Sequence, residues 1–179
     1  MSFFKELSAE ETDLVVSLPY RVGYWMSQVD NMEKTKRDDK WERAALDRAI
    51  RKVSRQNGYN SLQRAVMKEV DQNRARWQEW SSKCEDEVLF SDIGLALDLV
   101  RIKIHPKALP QYKKILWYIA QCVAQAFGED DDPDQEMHIN HLFSDLKRML
   151  FSSPLGKSPK NISEVEKTAL KKLHAALKS

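Results

Sequence analysis

Apolar residues recur every three or four positions along most of this chain, and no segment sustains an alternation of period two; the pattern predicts helices and no strand. Ser8 and Glu11 have the spacing of a capping box, and Leu14/Val15, Leu18, Val22, Trp25/Met26 and Val29 follow as one stripe of a helix ending near Asp30. Pro19 lies inside it and deprives the Val15 carbonyl of its partner, which predicts a kink or a break into two helices. A second helix over 38–56 aligns Trp41, Ala45, Leu46, Ala49 and Val53, with Asn57-Gly58 as its stop. Asn60 or Ser61 caps a third, whose stripe of Leu62, Val66, Val70, Asn73, Trp77, Trp80 and Cys84 runs for about six turns with Asn73 as its odd member. A fourth, over 85–104, presents Leu89, Ile93, Ala96/Leu97 and Val100 and ends at His105-Pro106, since a residue before proline avoids the helical region.

Pro110 opens a fifth helix over 111–127, the most hydrophobic of the chain and the expected centre of the fold, with Ile115, Trp117/Tyr118, Ile119, Cys122, Val123 and Ala126 covering most of its circumference. A sixth over 134–151 carries Ile139, Leu142/Phe143, Leu146 and Met149/Leu150. Pro154, Gly156 and Pro159 make 152–162 a linker. Ser163 with Glu166 forms another capping box, opening a basic amphipathic helix with Val165, Ala169/Leu170, Leu173 and Ala176/Leu177 on its apolar stripe. The expected fold is therefore all-α: a single-domain bundle of six main helices over 1–151, a linker at 152–162 and a C-terminal helix at 163–179. That last helix is too short to be stable alone, so it should dock on the bundle or on a partner. Its six lysines against two glutamates over 157–178 make the acidic turn at 129–136 a suitable receiving surface.

Composition narrows the classes further. The 179 residues include only five glycines and six prolines, fewer than a sandwich or a doubly wound sheet would place in its turns. With 42% hydrophobic and 31% charged residues the chain is neither disordered nor fibrous, and a net charge of +2 selects no class of partner. Two cysteines, Cys84 and Cys122, form neither a disulfide framework nor a metal cluster, which makes a reducing, cytoplasmic setting the expectation. Residues 1–6 lack a basic region followed by an apolar stretch, so no secretory signal is expected. The longest apolar run, 115–127, is broken by Gln121 and Gln125 and reads as a core helix rather than a membrane span.

The fifth and sixth helices copy the layout of the first and second: an aromatic-rich core helix, an acidic turn, then a charged amphipathic helix, which suggests a two-fold internal repeat. The run Leu109-Pro110-Gln111-Tyr112-Lys113-Lys114-Ile115-Leu116, continuing through Ile119-Ala120 and Ala124 to Gly128-Glu129-Asp130 and Glu136, resembles the second repeat of the TerB-like tellurite-resistance family. Leu18-Pro19 through Met26 to Asp30 is similar to the corresponding helix of the first repeat, so the resemblance spans about residues 14–150. It implies an internally duplicated helical bundle without enzymatic chemistry, with a regulatory or stress-related role. It further implies a divalent cation held by acidic residues of each repeat: Asp30 in the first half, Asp130 with Glu136 in the second. The chain departs from the family pattern in having Asn31 directly after Asp30 and Gly128 before Glu129, where the family places Gly after the acidic residue.

The residues themselves offer two candidate metal sites. Residues 129–136 carry six carboxylates and no cation, the oxygen-rich chemistry that calcium or magnesium needs, and mutual repulsion favours a cation held by Asp130, Asp132 and Glu136. An EF-hand is excluded, because Gln135 stands where glycine makes the turn and His141 where the bidentate glutamate belongs. The bland alternative is a solvated loop whose last carboxylates face the positive end of the sixth helix. Asp134, His138, His141 and Asp145, spaced by four, three and four, share one stripe of that helix. They suit a transition metal and define the rival function, a helical metal-dependent hydrolase, against the plainer reading of ordinary helix ion pairs. Residues 34–55 hold nine basic side chains against four acidic ones, but Asp39, Arg43, Asp47 and Arg51 are successive four-residue neighbours and no nucleic-acid reading motif accompanies them. Gly156-Lys157-Ser158 resembles the end of a phosphate loop without its first glycine or its strand. The function this pattern favours is a non-enzymatic binding or scaffolding module with a protein partner.

Overall fold

In the computed structural model, which describes residues 3–29, 36–55, 61–125 and 162–178, every regular element is a helix and no strand occurs among the described residues. The first helix, α1 (Ala9–Gln28), begins at the Ser8/Glu11 capping box: the Glu11 amide donates to Ser8 Oγ at 3.2 Å and the Ser8 amide to Glu11 Oε2 at 2.9 Å. Of the expected kink or break at Pro19, the break into two helices does not occur: α1 runs through Pro19 as one helix. The physical reason lies almost a hundred residues away in sequence, where the Tyr112 hydroxyl donates to the Val15 carbonyl at 2.7 Å. Position 19 has no amide proton for that carbonyl, and the buried phenol supplies the missing bond.

Helix α2 (Lys36–Arg55) and α3 (Ser61–Gln72) pack together and against α1. The long third helix expected from the Leu62-to-Cys84 stripe is three pieces instead. After α3 the chain makes a 3-10 turn (Arg74–Arg76) and then a short α4 (Trp77–Ser81). The break falls at Asn73, whose side-chain amide donates to the Glu69 carbonyl at 2.8 Å beside its own backbone amide at 3.0 Å, closing the last turn of α3 on itself. The Trp77 indole closes the gap by donating to the Val70 carbonyl at 3.1 Å.

Helix α5 (Asp86–Leu99) continues into a wider π turn (Val100–Ile104) and stops at His105, whose backbone is extended before Pro106. A 3-10 turn (Pro106–Ala108) leads into α6 (Leu109–Ala124), where Tyr112 and every residue from Ile115 to Ala124 are buried. Helices α1 and α6 run side by side and parallel, Val15 beside Tyr112 and Gly23 beside Ile119. Helix α5 runs antiparallel to α1, with Asp86 at Trp25, Asp92 at Arg21 and Lys103 at Glu11. The last helix, α7 (Glu164–Lys178), opens with a second capping box, Ser163 with Glu166. It lays Ala169, Leu170, Leu173 and Leu177 against α5 and α6.

One continuous core joins all of these elements, from Val15 through Leu97 and Ile119 to Leu177. Gly23 fixes the closest approach within it: a Cβ there would stand 2.3 Å from Leu46 Cδ1 and 2.7 Å from Ile119 Cγ2, so only glycine lets α2 and α6 meet α1 at this level. The sixth helix expected over 134–151 and most of the linker lie outside the described residues, and the internal repeat is not confirmed.

Candidate functional site

The residues singled out for metal binding, Asp30, Asp130, Asp132 and Glu136, and the alternative stripe of Asp134, His138, His141 and Asp145, all lie outside the described residues. So do Gly156, Lys157 and Ser158. Among the described residues no three His, Cys, Asp or Glu side chains come together in a way that could hold a metal ion, and no helix is long and apolar enough to cross a membrane. In the basic second helix Asp47 pairs with Arg51 one turn away and, at 2.6 Å, with Arg74 after α3, so its charge is drawn into the fold.

Polar groups of the described residues, the buried Arg21 among them, tie helix to helix. Arg21, 2% exposed, meets Asp92 of α5 at 2.7 Å, and its Nε donates to the Lys83 carbonyl at 3.2 Å, fastening α1 to the turn before α5. Trp25 donates its indole hydrogen to Asp86 Oδ1 at 2.7 Å, while Lys172 of α7 pairs with the other oxygen of that carboxylate and lies 4.7 Å above the Phe90 ring. Lys172 first, and the Trp25 hydrogen bond second, hold the Asp86 carboxyl below its ordinary range. Asp13 accepts from Trp80 at 3.3 Å and pairs with Arg76. Cys84 sits 3.4 Å from the Trp80 carbonyl, and burial pushes its thiol up to about 11, so it stays protonated at neutral pH and has little nucleophilic character.

The exposed face of α5 differs. Four large apolar side chains stand exposed among the described residues, and three of them, Val88 (45%), Leu95 (55%) and Ile102 (75%), lie on α5 and its π turn. Leu95 and Ile102, with Leu14 and Leu99, line an open groove of about 310 Å³ between the start of α1 and the end of α5. Glu11, Asp98 and Lys103 form its rim. The Lys103 ammonium reaches Glu11 Oε1 at 2.6 Å, and this contact, ahead of the Ser8 amide, lowers the Glu11 pKa. Glu11 thus caps α1 and closes one end of the groove with a neutral pair. Asp98 is paired with Arg101. An apolar trough whose rim charges are paired can seat aliphatic or aromatic side chains of a partner.

Sequence reasoning assigned α5 its buried stripe, Leu89, Ile93, Ala96/Leu97 and Val100, and passed over this second one. The signal was present in the apolar residues left off the core face, Val88, Leu95, Leu99 and Ile102, three of them seven apart. Compared with protein-family models, curated proteins and solved structures, the chain has no match.

Proposed function

We propose that this chain is a non-enzymatic helical binding module that takes a protein partner into the groove between α1 and the end of α5. The observation that carries the reading is the exposure of Leu95 and Ile102 beside Leu14 and Leu99, an apolar surface that the described core does not need. Support also comes from the structural use of ionisable groups: Arg21 with Asp92, Lys172 with Asp86 and Asp13 with Trp80 join helices to one another. We read its setting as cytoplasmic, in keeping with two cysteines, Cys84 and Cys122, that form no disulfide. The TerB-like resemblance adds to this proposal a stress-related role and a divalent cation at Asp130, Asp132 and Glu136.

The test uses the full chain and a Leu95→Asp/Ile102→Asp variant, both immobilised and exposed to extract from the native cell. Proteins retained by the parent and lost by the variant, with both giving the same helical spectrum and melting temperature, are the expected result. Capture of the same set by both forms refutes the reading.

A further inference from the structure

Helix α7 is seated differently from α1, α5 and α6. Tyr112 bonds Val15, Trp25 bonds Asp86 and Arg21 meets Asp92 across the seams that bury them. Under α7 two polar groups do not. Trp117 of α6 is 3% exposed, and its indole Nε1 has no hydrogen-bond partner. His174 of α7 packs beside it, ring centroids 5.6 Å apart and planes inclined by 58°, and the His174 Nε2 is likewise sealed from water without a partner. An indole nitrogen only donates, so Trp117 needs an acceptor, and the imidazole nitrogen needs a donor or an acceptor according to its tautomer. Buried polar groups are seldom left so, and a closed α7 forgoes two hydrogen bonds that water supplies when it lifts.

What holds α7 down is its apolar stripe of Ala169, Leu170, Leu173 and Leu177 and, at the edge, the ion pair of Lys172 with Asp86. Both partners of that pair are about half exposed, and a pair so exposed adds little. Once lifted, a helix of 15 residues is marginal in water and unwinds. The seat does not depend on it, because Arg21, Trp25 and Tyr112 lock α1, α5 and α6 to one another without α7.

We infer that α7 is a strap that opens ahead of the rest of the fold and, in opening, uncovers Trp117 and the face of α5 and α6 on which it lies. The two sealed nitrogens set its strength, weakening the closed form without loosening the bundle beneath. This seat, at Asp86, Phe90 and Trp117, is separate from the groove between α1 and the end of α5, so the two readings stand or fall apart.

Hydrogen exchange of the full chain at neutral pH, read peptide by peptide by mass spectrometry, follows the opening. The amides of α7 should exchange together, about ten-fold or more faster than those of α1 and α6. His174→Leu removes one sealed nitrogen, and His174→Gln brings a carbonyl able to accept from Trp117. Each should slow α7 exchange about five-fold or more and leave α1 and α6 unchanged. Helix propensity accounts for about two-fold of that at most, and glutamine is no more apolar than histidine, so slowing by both variants isolates the unmade bonds. Lys172→Ala should speed α7 exchange alone. A ring that merely packs would act in the opposite sense, its replacement loosening α7. The inference is overturned by α7 amides that exchange no faster than those of α6, or by α7 exchange that either His174 variant leaves unchanged or accelerates.

Discussion

Tyr112→Phe removes one hydroxyl from the interior and tests why α1 survives its proline. The phenol is fully buried and donates to the Val15 carbonyl at 2.7 Å. Without it that carbonyl is left without both the phenol and the amide proton that position 19 lacks. An unsatisfied buried acceptor costs about 1–3 kcal/mol. For a chain of this size each kilocalorie is worth about 2–4 °C, so the melting temperature should fall by roughly 2–12 °C. Pro19→Ala supplies the missing amide proton, and in that background Tyr112→Phe should cost about 1 kcal/mol less than in the parent. Urea denaturation of the four proteins, followed by circular dichroism, gives the coupling directly. Strict additivity, or a Tyr112→Phe change below about 0.5 kcal/mol, would refute the idea that these positions share one hydrogen-bond vacancy.

Gly23→Ala should destabilise by about 1–3 kcal/mol, because its Cβ has no room between Leu46 and Ile119, while Gly94→Ala, measured on dilute protein, should stabilise by about 0.5–1 kcal/mol; thermal melts read both. His174 packs 5.6 Å from the Trp117 ring, and burial first, then Lys178, lowers its pKa. The unfolded chain therefore takes up the proton first, so α7 docking should weaken as pH falls through and below the unfolded value of 6.5, and His174→Leu should flatten the melting profile between pH 7 and pH 5. Calcium or magnesium should raise the melting temperature of the parent and leave an Asp130→Asn/Asp132→Asn variant unmoved; no response from the parent removes the cation from the proposed function.

Periodicity carried much of the fold. The stripes that gave α1, α2, α5 and α6 are local, and the Ser8/Glu11 and Ser163/Glu166 spacings located two helix starts to the residue. What spacing could not show was the hydrogen bond that a distant or side-chain partner adds to a helix. Pro19 looked like an interruption because Tyr112, which makes good the lost bond, is far off in sequence. Asn73 looked like a polar member of one stripe because its turn toward the Glu69 carbonyl depends on side-chain geometry. The groove was half legible: Leu95 and Ile102 were visible as apolar residues, but that they face away from the core follows only from how α5 lies on α1.

The parallel seating of α1 on α6 also sets a timetable for synthesis. Val15 and Tyr112 are 97 residues apart, so at about 5–20 residues per second the first helix waits on the order of 5–20 s for its longest-range neighbour to leave the ribosome. Through that interval Val15 and Gly23, which meet Tyr112 and Ile119 in the finished fold, have no α6 beside them. A nascent chain arrested before residue 109 is thus the form on which a holding chaperone has the most to grip, and release should coincide with the emergence of α6.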